Sequence, residues 1–184
     1  MRLLPLVVLL LVANVASAYD PPSVVHYAIH GTTDRELGSA MRSLGPADPT
    51  GRRYPGRADW NVSWTYRWQS QGNRCSLTTP SVQLKGTITL PRWEDRDRAD
   101  PELQQRWDRF LAALTVHEQG HFQFGVAAAD ELRRQFVSLK SNKGCAPLEA
   151  EVDRLGRAIV EEYQQRDRQY DVETSHGLTQ DAFL

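Results

Sequence analysis

Cysteine is scarce in this chain: Cys75 and Cys145 are the only two in 184 residues. Neither has a second cysteine close by, which excludes the zinc ribbons and fingers that use closely spaced thiolates. In an exported chain an even pair reads as one disulfide. It would close a loop of about 70 residues and, on the chain-entropy model, contribute roughly 4 kcal/mol by restricting the unfolded state. An excess of either charge is also missing, with 22 Lys and Arg against 23 Asp and Glu. That balance offers no basic face to a nucleic-acid partner. Long apolar runs are absent as well: Leu3 to Val12 falls well short of the about 20 residues that span a bilayer. There are no internal repeats and no low-complexity tracts.

The short apolar run has a different meaning. Met1-Arg2 supplies a positive charge before it, and Ala16-Ser17-Ala18 is a small-x-small cleavage site after it. Residues 1–18 are therefore expected to be a signal peptide cut between Ala18 and Tyr19, and residues 19–184 one domain. The protein is expected to be secreted or periplasmic, with no stable membrane insertion after cleavage. Loss of Arg2 with the leader changes the net charge from −1 to −2.

Up to about residue 95 the pattern is that of strands. Asn61 to Trp68 and Val82 to Leu90 alternate polar and apolar residues, which predicts an antiparallel sheet with one buried face. A further short strand is expected over Val24 to Ile29. Thr33 and Glu36 have capping-box spacing and open a helix predicted from Asp34 to Leu44, ended by Gly45-Pro46. Residues Gly45 to Asp59 and Glu94 to Asp100 read as loops.

After Asp100 the period becomes helical. Asp100 is a good N-cap and Pro101 suits the first turn, so a long helix is predicted to about Leu139. Its apolar stripe runs through Leu103, Trp107, Phe110, Leu114, His117, His121, Ala128 and Leu132. A second helix over Pro147 to Tyr170 buries Leu148, Val152, Leu155, Ile159 and Tyr163. The expected class is α+β: a small antiparallel sheet packed on a long helix, with a second helix at the C-terminal end.

Within the first stripe lies His117-Glu118-Gln119-Gly120-His121, an H-E-x-x-H sequence. On a helix this puts two imidazoles one turn apart on one face, with a carboxylate beside them. Two buried imidazoles would each need a partner, and one metal ion satisfies both. Zn2+ is the expected ion, with His117 and His121 as ligands and Glu118 as the general base beside a Zn-activated water. A catalytic zinc site needs a third protein ligand. The metzincin extension is absent, because Ala127 stands where its third ligand would be. Glu162, on the edge of the second stripe, is one alternative. His176, the only histidine after the motif, is the better placed.

The Gly31-Thr32 pair, the Trp64-x-Tyr66 strand, Cys75 and Pro91-x-Trp93 join the H-E-x-x-H helix and Cys145. With the closing Tyr170-Asp171-x-x-Thr174-x-His176-Gly177 and Gln180, this set resembles a bacterial family, domain of unknown function 922, described as predicted secreted zinc-dependent proteases. The resemblance spans nearly all of residues 19–184. It implies a zincin-like fold, with His117, His121 and His176 on the metal and Glu118 as base. It leaves Asp171 either as a residue that orients a ligand histidine or as a ligand itself. Tyr170 would donate to the oxyanion, with Tyr163 as a weaker alternative.

The expected function is a zinc metallopeptidase with a protein or peptide substrate. A zinc hydrolase of a non-protein amide, such as one in the cell wall, would use the same residues. A non-catalytic, zinc-stabilised binding module would have no need of Glu118.

Overall fold

The computed structural model describes residues 19–184, and the expected signal peptide lies outside them. The alternating stretches form β2 (Arg57–Gln71) and β3 (Arg74–Trp93), a long antiparallel hairpin closed by the two-residue turn Gly72-Asn73. Both strands outrun the alternation that predicts them. Residues 67–71 are exposed on both faces, so no burial pattern marks them, and a bulge between Thr65 and Arg67 shifts the register there.

Strand β1 (Ser23–Ile29) pairs with β3 in parallel, from Ser23 opposite Thr87 to Ile29 opposite Trp93. The sheet is thus mixed, with order β1-β3-β2, where antiparallel pairing alone was expected. The cause is topological: β2 runs back against β1, and the hairpin reverses the chain once more. Between them, α1 (Asp34–Leu44) starts at the expected capping box, with both reciprocal bonds between Thr33 and Glu36 formed. The charged segment after β3 is more ordered than a solvated loop. Asp95 accepts from the Gly31 N–H at 3.0 Å, and the Trp93 indole donates to the Gly31 carbonyl at 2.8 Å.

Helix α2 (Pro101–Ser138) is one unbroken element, capped by the Asp100 carboxylate on the Glu102 N–H at 2.7 Å. It lies against the sheet and divides the core in two. Its first turns bury Trp107, Phe110 and Leu114 against Ile88, Leu90, Trp93 and α1. Its later turns bury Phe122, Leu132 and Phe136 against Val62, Val82 and Leu84. His117 and His121 fall between Leu114 and Phe122, where the two clusters meet. Truncating Phe110 or Phe136, each almost fully buried, would cost about 3–5 kcal/mol.

After the two-residue strand β4 (Lys140–Ser141), α3 (Cys145–Thr174) packs beside α2. It continues one turn beyond the predicted end at Tyr170. Its first residue forms the expected disulfide with Cys75, tying α3 to the start of β3. No helix among the described residues is long and apolar enough to cross a membrane.

Candidate metal centre

The H-E-x-x-H face of α2 is buried, with His117, Glu118 and His121 only 3%, 4% and 8% exposed. Gly120 inside the motif would ordinarily weaken a helix by about 1 kcal/mol relative to alanine. Its reason is contact: a Cβ there would stand 2.4 Å from the Tyr170 hydroxyl. The Tyr170 ring lies on the His117 imidazole, with centroids 5.2 Å apart.

Each imidazole is held from behind. His117 Nδ1 lies 2.9 Å from Gln180 Oε1, and His121 Nδ1 lies 2.6 Å from Asp167 Oδ1. An amide oxygen and a carboxylate only accept, so both Nδ1 atoms carry the proton and both Nε2 atoms present lone pairs. Asp167 is fixed in turn by the Trp60 indole N–H at 3.0 Å.

The two Nε2 atoms and Asp171 Oδ1 converge. Nε2 to Nε2 is 3.2 Å, His121 Nε2 to Asp171 Oδ1 is 3.2 Å, and His117 Nε2 to Asp171 Oδ1 is 3.3 Å. Three acceptors at these separations repel one another unless a cation sits among them. Three corners of a tetrahedron with bonds of about 2.0–2.1 Å are about 3.3–3.4 Å apart. The residues present therefore fit a tetrahedral metal ion, and His117, His121 and Asp171 could hold one.

Without an ion, a proton has to serve as the cation. Burial disfavours a charged His121, but its bonds to Asp167 and Asp171 prevail and raise its pKa to about 10. Burial likewise opposes ionisation of Asp171, yet the surrounding imidazoles hold its carboxyl well below the usual carboxylate range. Glu118 shows the opposite result. Burial pushes it up to about 7, against the pull of both histidines and a bond from the Ala58 N–H.

The site forms the floor of a cleft of about 460 Å³, walled by the Asp48–Ala58 segment on one side and α3 on the other. His176 stands at its rim. Its Nδ1 is 3.2 Å from Asp171 Oδ1 and its ring is 5.1 Å from that of Tyr54, but it lies outside the converging group. Tyr170 does not line the cleft; its hydroxyl bonds to Gln180 Oε1 at 3.2 Å, behind the imidazoles. Glu162 is spent on Arg166 at the surface, and Tyr163 lies under the same guanidinium.

Ser175, His176 and Gly177 are all left-handed, with φ of 50°, 53° and 83°. They turn the chain back so that Gln180 reaches His117. A Cβ on Gly177 would be 3.0 Å from His117 Cγ, so only glycine fits this turn. Asp167 is the contributor that sequence reasoning passed over. It lies four residues before Asp171, on the same face of α3, and that alignment appears only when the helix runs past Tyr170.

The family model of a bacterial protein of unknown function (DUF922) matches residues 24–177. The chain belongs to this family. No curated protein matches it, and no solved structure does. The match covers both sides of the DUF922 centre, the α2 histidines and α3 through Gly177, but stops short of Gln180.

Proposed function

We propose that this chain is an exported zinc metallopeptidase of zincin type, released by removal of residues 1–18 and acting through one domain over residues 19–184. The observation that carries the reading is the triangle of lone pairs from His117, His121 and Asp171, with the carboxyl of Glu118 buried alongside. Two imidazoles and a single carboxylate are a donor set suited to zinc and poor for calcium or magnesium. Asp171, whose oxygen belongs to the triangle, is the third ligand; His176 is a neighbour of that ligand.

Zinc in such a site supplies Lewis acidity, making water a nucleophile near neutral pH and polarising a carbonyl. Glu118 takes the proton of the attacking water and returns it to the leaving amine. Asp167 and Gln180 keep both imidazoles in the tautomer that points Nε2 at the centre. The disulfide fits an oxidising compartment outside the cytosol.

A peptide suits the cleft because, among the described residues, β2 pairs on one side only, and its start borders the site. The Ala58 N–H already points from that strand at Glu118. An extended substrate can lie along such an edge. The test is zinc content together with hydrolysis of casein and of a mixed peptide library, for the wild type and Glu118→Gln. Expected are stoichiometric zinc in both and turnover in the wild type only. Equal turnover in the two proteins would remove Glu118 as the base.

A further inference from the structure

The charged groups lining the cleft are nearly all committed to other parts of the protein. Asp48 accepts from Thr50, from the Arg52 N–H and from the Tyr54 hydroxyl. Arg57 is held by Asp59 and by the Ala47 carbonyl. Asp167 serves His121 and Trp60, and Asp171 faces the imidazoles. Arg168 lines the same cleft, and its guanidinium makes no hydrogen bond or ion pair among the described residues.

Its place on α3 gives that freedom a direction. Arg168 is three residues before Asp171, so their Cβ atoms are about 5–6 Å apart on one helix face. Asp171 is the partner such spacing would ordinarily offer it, but the Asp171 carboxylate is turned to His117 and His121. A permanent cation with five donors is thus left at the rim, within one or two peptide residues of the reacting centre.

We propose that Arg168 is a specificity residue that binds a substrate carboxylate one or two residues from the scissile bond. The inference rests on the peptidase reading above and adds a substrate class to it. A planar guanidinium grips a carboxylate through two parallel N–H donors, which an amide of the same shape cannot match. The carboxylate can come from an acidic side chain or from the C-terminus of the substrate.

The experiment uses the zinc-loaded protein and matched peptides. One set carries Glu or Gln near the scissile bond with an amidated end, and the other has a free or an amidated C-terminus. The wild type is expected to favour the carboxylate over the amide about tenfold in kcat/KM in one of the two sets, which identifies the source. The preference should weaken as salt rises. In Arg168→Gln the ratio should fall to about one, and Arg168→Glu should invert it in favour of the amide. A wild-type ratio near one in both sets, or a ratio that survives Arg168→Gln, would overturn the proposal.

Binding to zinc-loaded Glu118→Gln, followed by fluorescence anisotropy, separates the two claims. Carboxylate-selective binding that depends on Arg168, with no peptide cleaved by the wild type, would sink the peptidase reading while upholding Arg168 as the group that grips a ligand carboxylate. Cleavage without selectivity would do the reverse.

Discussion

Helices α2 and α3 meet at the same three candidate ligand atoms, yet they supply them in different ways. On α2 His117, Glu118 and His121 sit inside the hydrophobic core, between Leu114 and Phe122. On α3 the contributing Asp171 and Asp167 lie at a half-open rim, in a stretch whose other side chains are largely exposed. The first helix holds its groups mainly by packing, with one hydrogen bond behind each imidazole. The second holds them by hydrogen bonds, by the left-handed turn after Thr174, and by the disulfide at its far end. A half-site that depends on packing should be hard to disturb without unfolding, whereas one that depends on polar contacts should be adjustable.

The largest effect expected from breaking this comparison is loss of the ion. Asp171→Ala should reduce zinc affinity by more than about a hundredfold, beyond what losing an outer partner of a ligand costs. Its far-UV spectrum should stay native, because the side chain is not part of the core. His121→Ala should lose zinc as severely and lower the unfolding midpoint too. Competitive titration with a chelator, paired with thermal melts, checks both.

Glu118→Gln should leave zinc bound while turnover falls about 10²–10⁴-fold, measured as kcat on a cleaved peptide. Smaller again are the outer contacts. Asp167→Asn and Gln180→Ala should each weaken zinc binding about 10–100-fold with little change in fold. Were Gln180→Ala to have no effect, the tautomer of His117 would be set by something other than that amide. The paired change Cys75→Ser with Cys145→Ser should cost about 4 kcal/mol in denaturant unfolding while leaving zinc affinity nearly unchanged.

This division also explains what could be read from the sequence. The α2 half was legible because burial imposes a period: capping residues, apolar stripe and histidines all register at 3.6 residues per turn. Its observed limits, Pro101–Ser138, fall within a residue of those the pattern predicts. The α3 half was not. Polar side chains at a rim leave no hydrophobic signature, so the sequence pattern ends the helix at Tyr170, one turn early. A helix ending at Tyr170 does not reveal the alignment of Asp167 with Asp171. The parallel placement of β1 was illegible for another reason, since alternation reports which face is buried and not which neighbour is paired.

The smallest expected effect is on pH. In the metal-free protein His121 has its pKa raised from 6.5 to about 10, so its stabilisation is complete below 6.5 and lost as pH rises through 10. Glu118, raised from 4.5 to about 7, loses its part between those values. Asp171 is shifted downward, so its contribution is present above its ordinary 3.8 and is lost only in strong acid. The chelator-treated protein should therefore melt at progressively lower temperature from pH 5 to pH 10. With zinc added the trend should reverse through neutrality, because the ion must displace these protons.

The most direct measurement is an anomalous difference map at the zinc edge from a crystal of the zinc-loaded protein. One peak is expected about 2.0–2.2 Å from each of His117 Nε2, His121 Nε2 and Asp171 Oδ1. No peak there, or a peak bonded to His176 with Asp171 outside bonding distance, would contradict it.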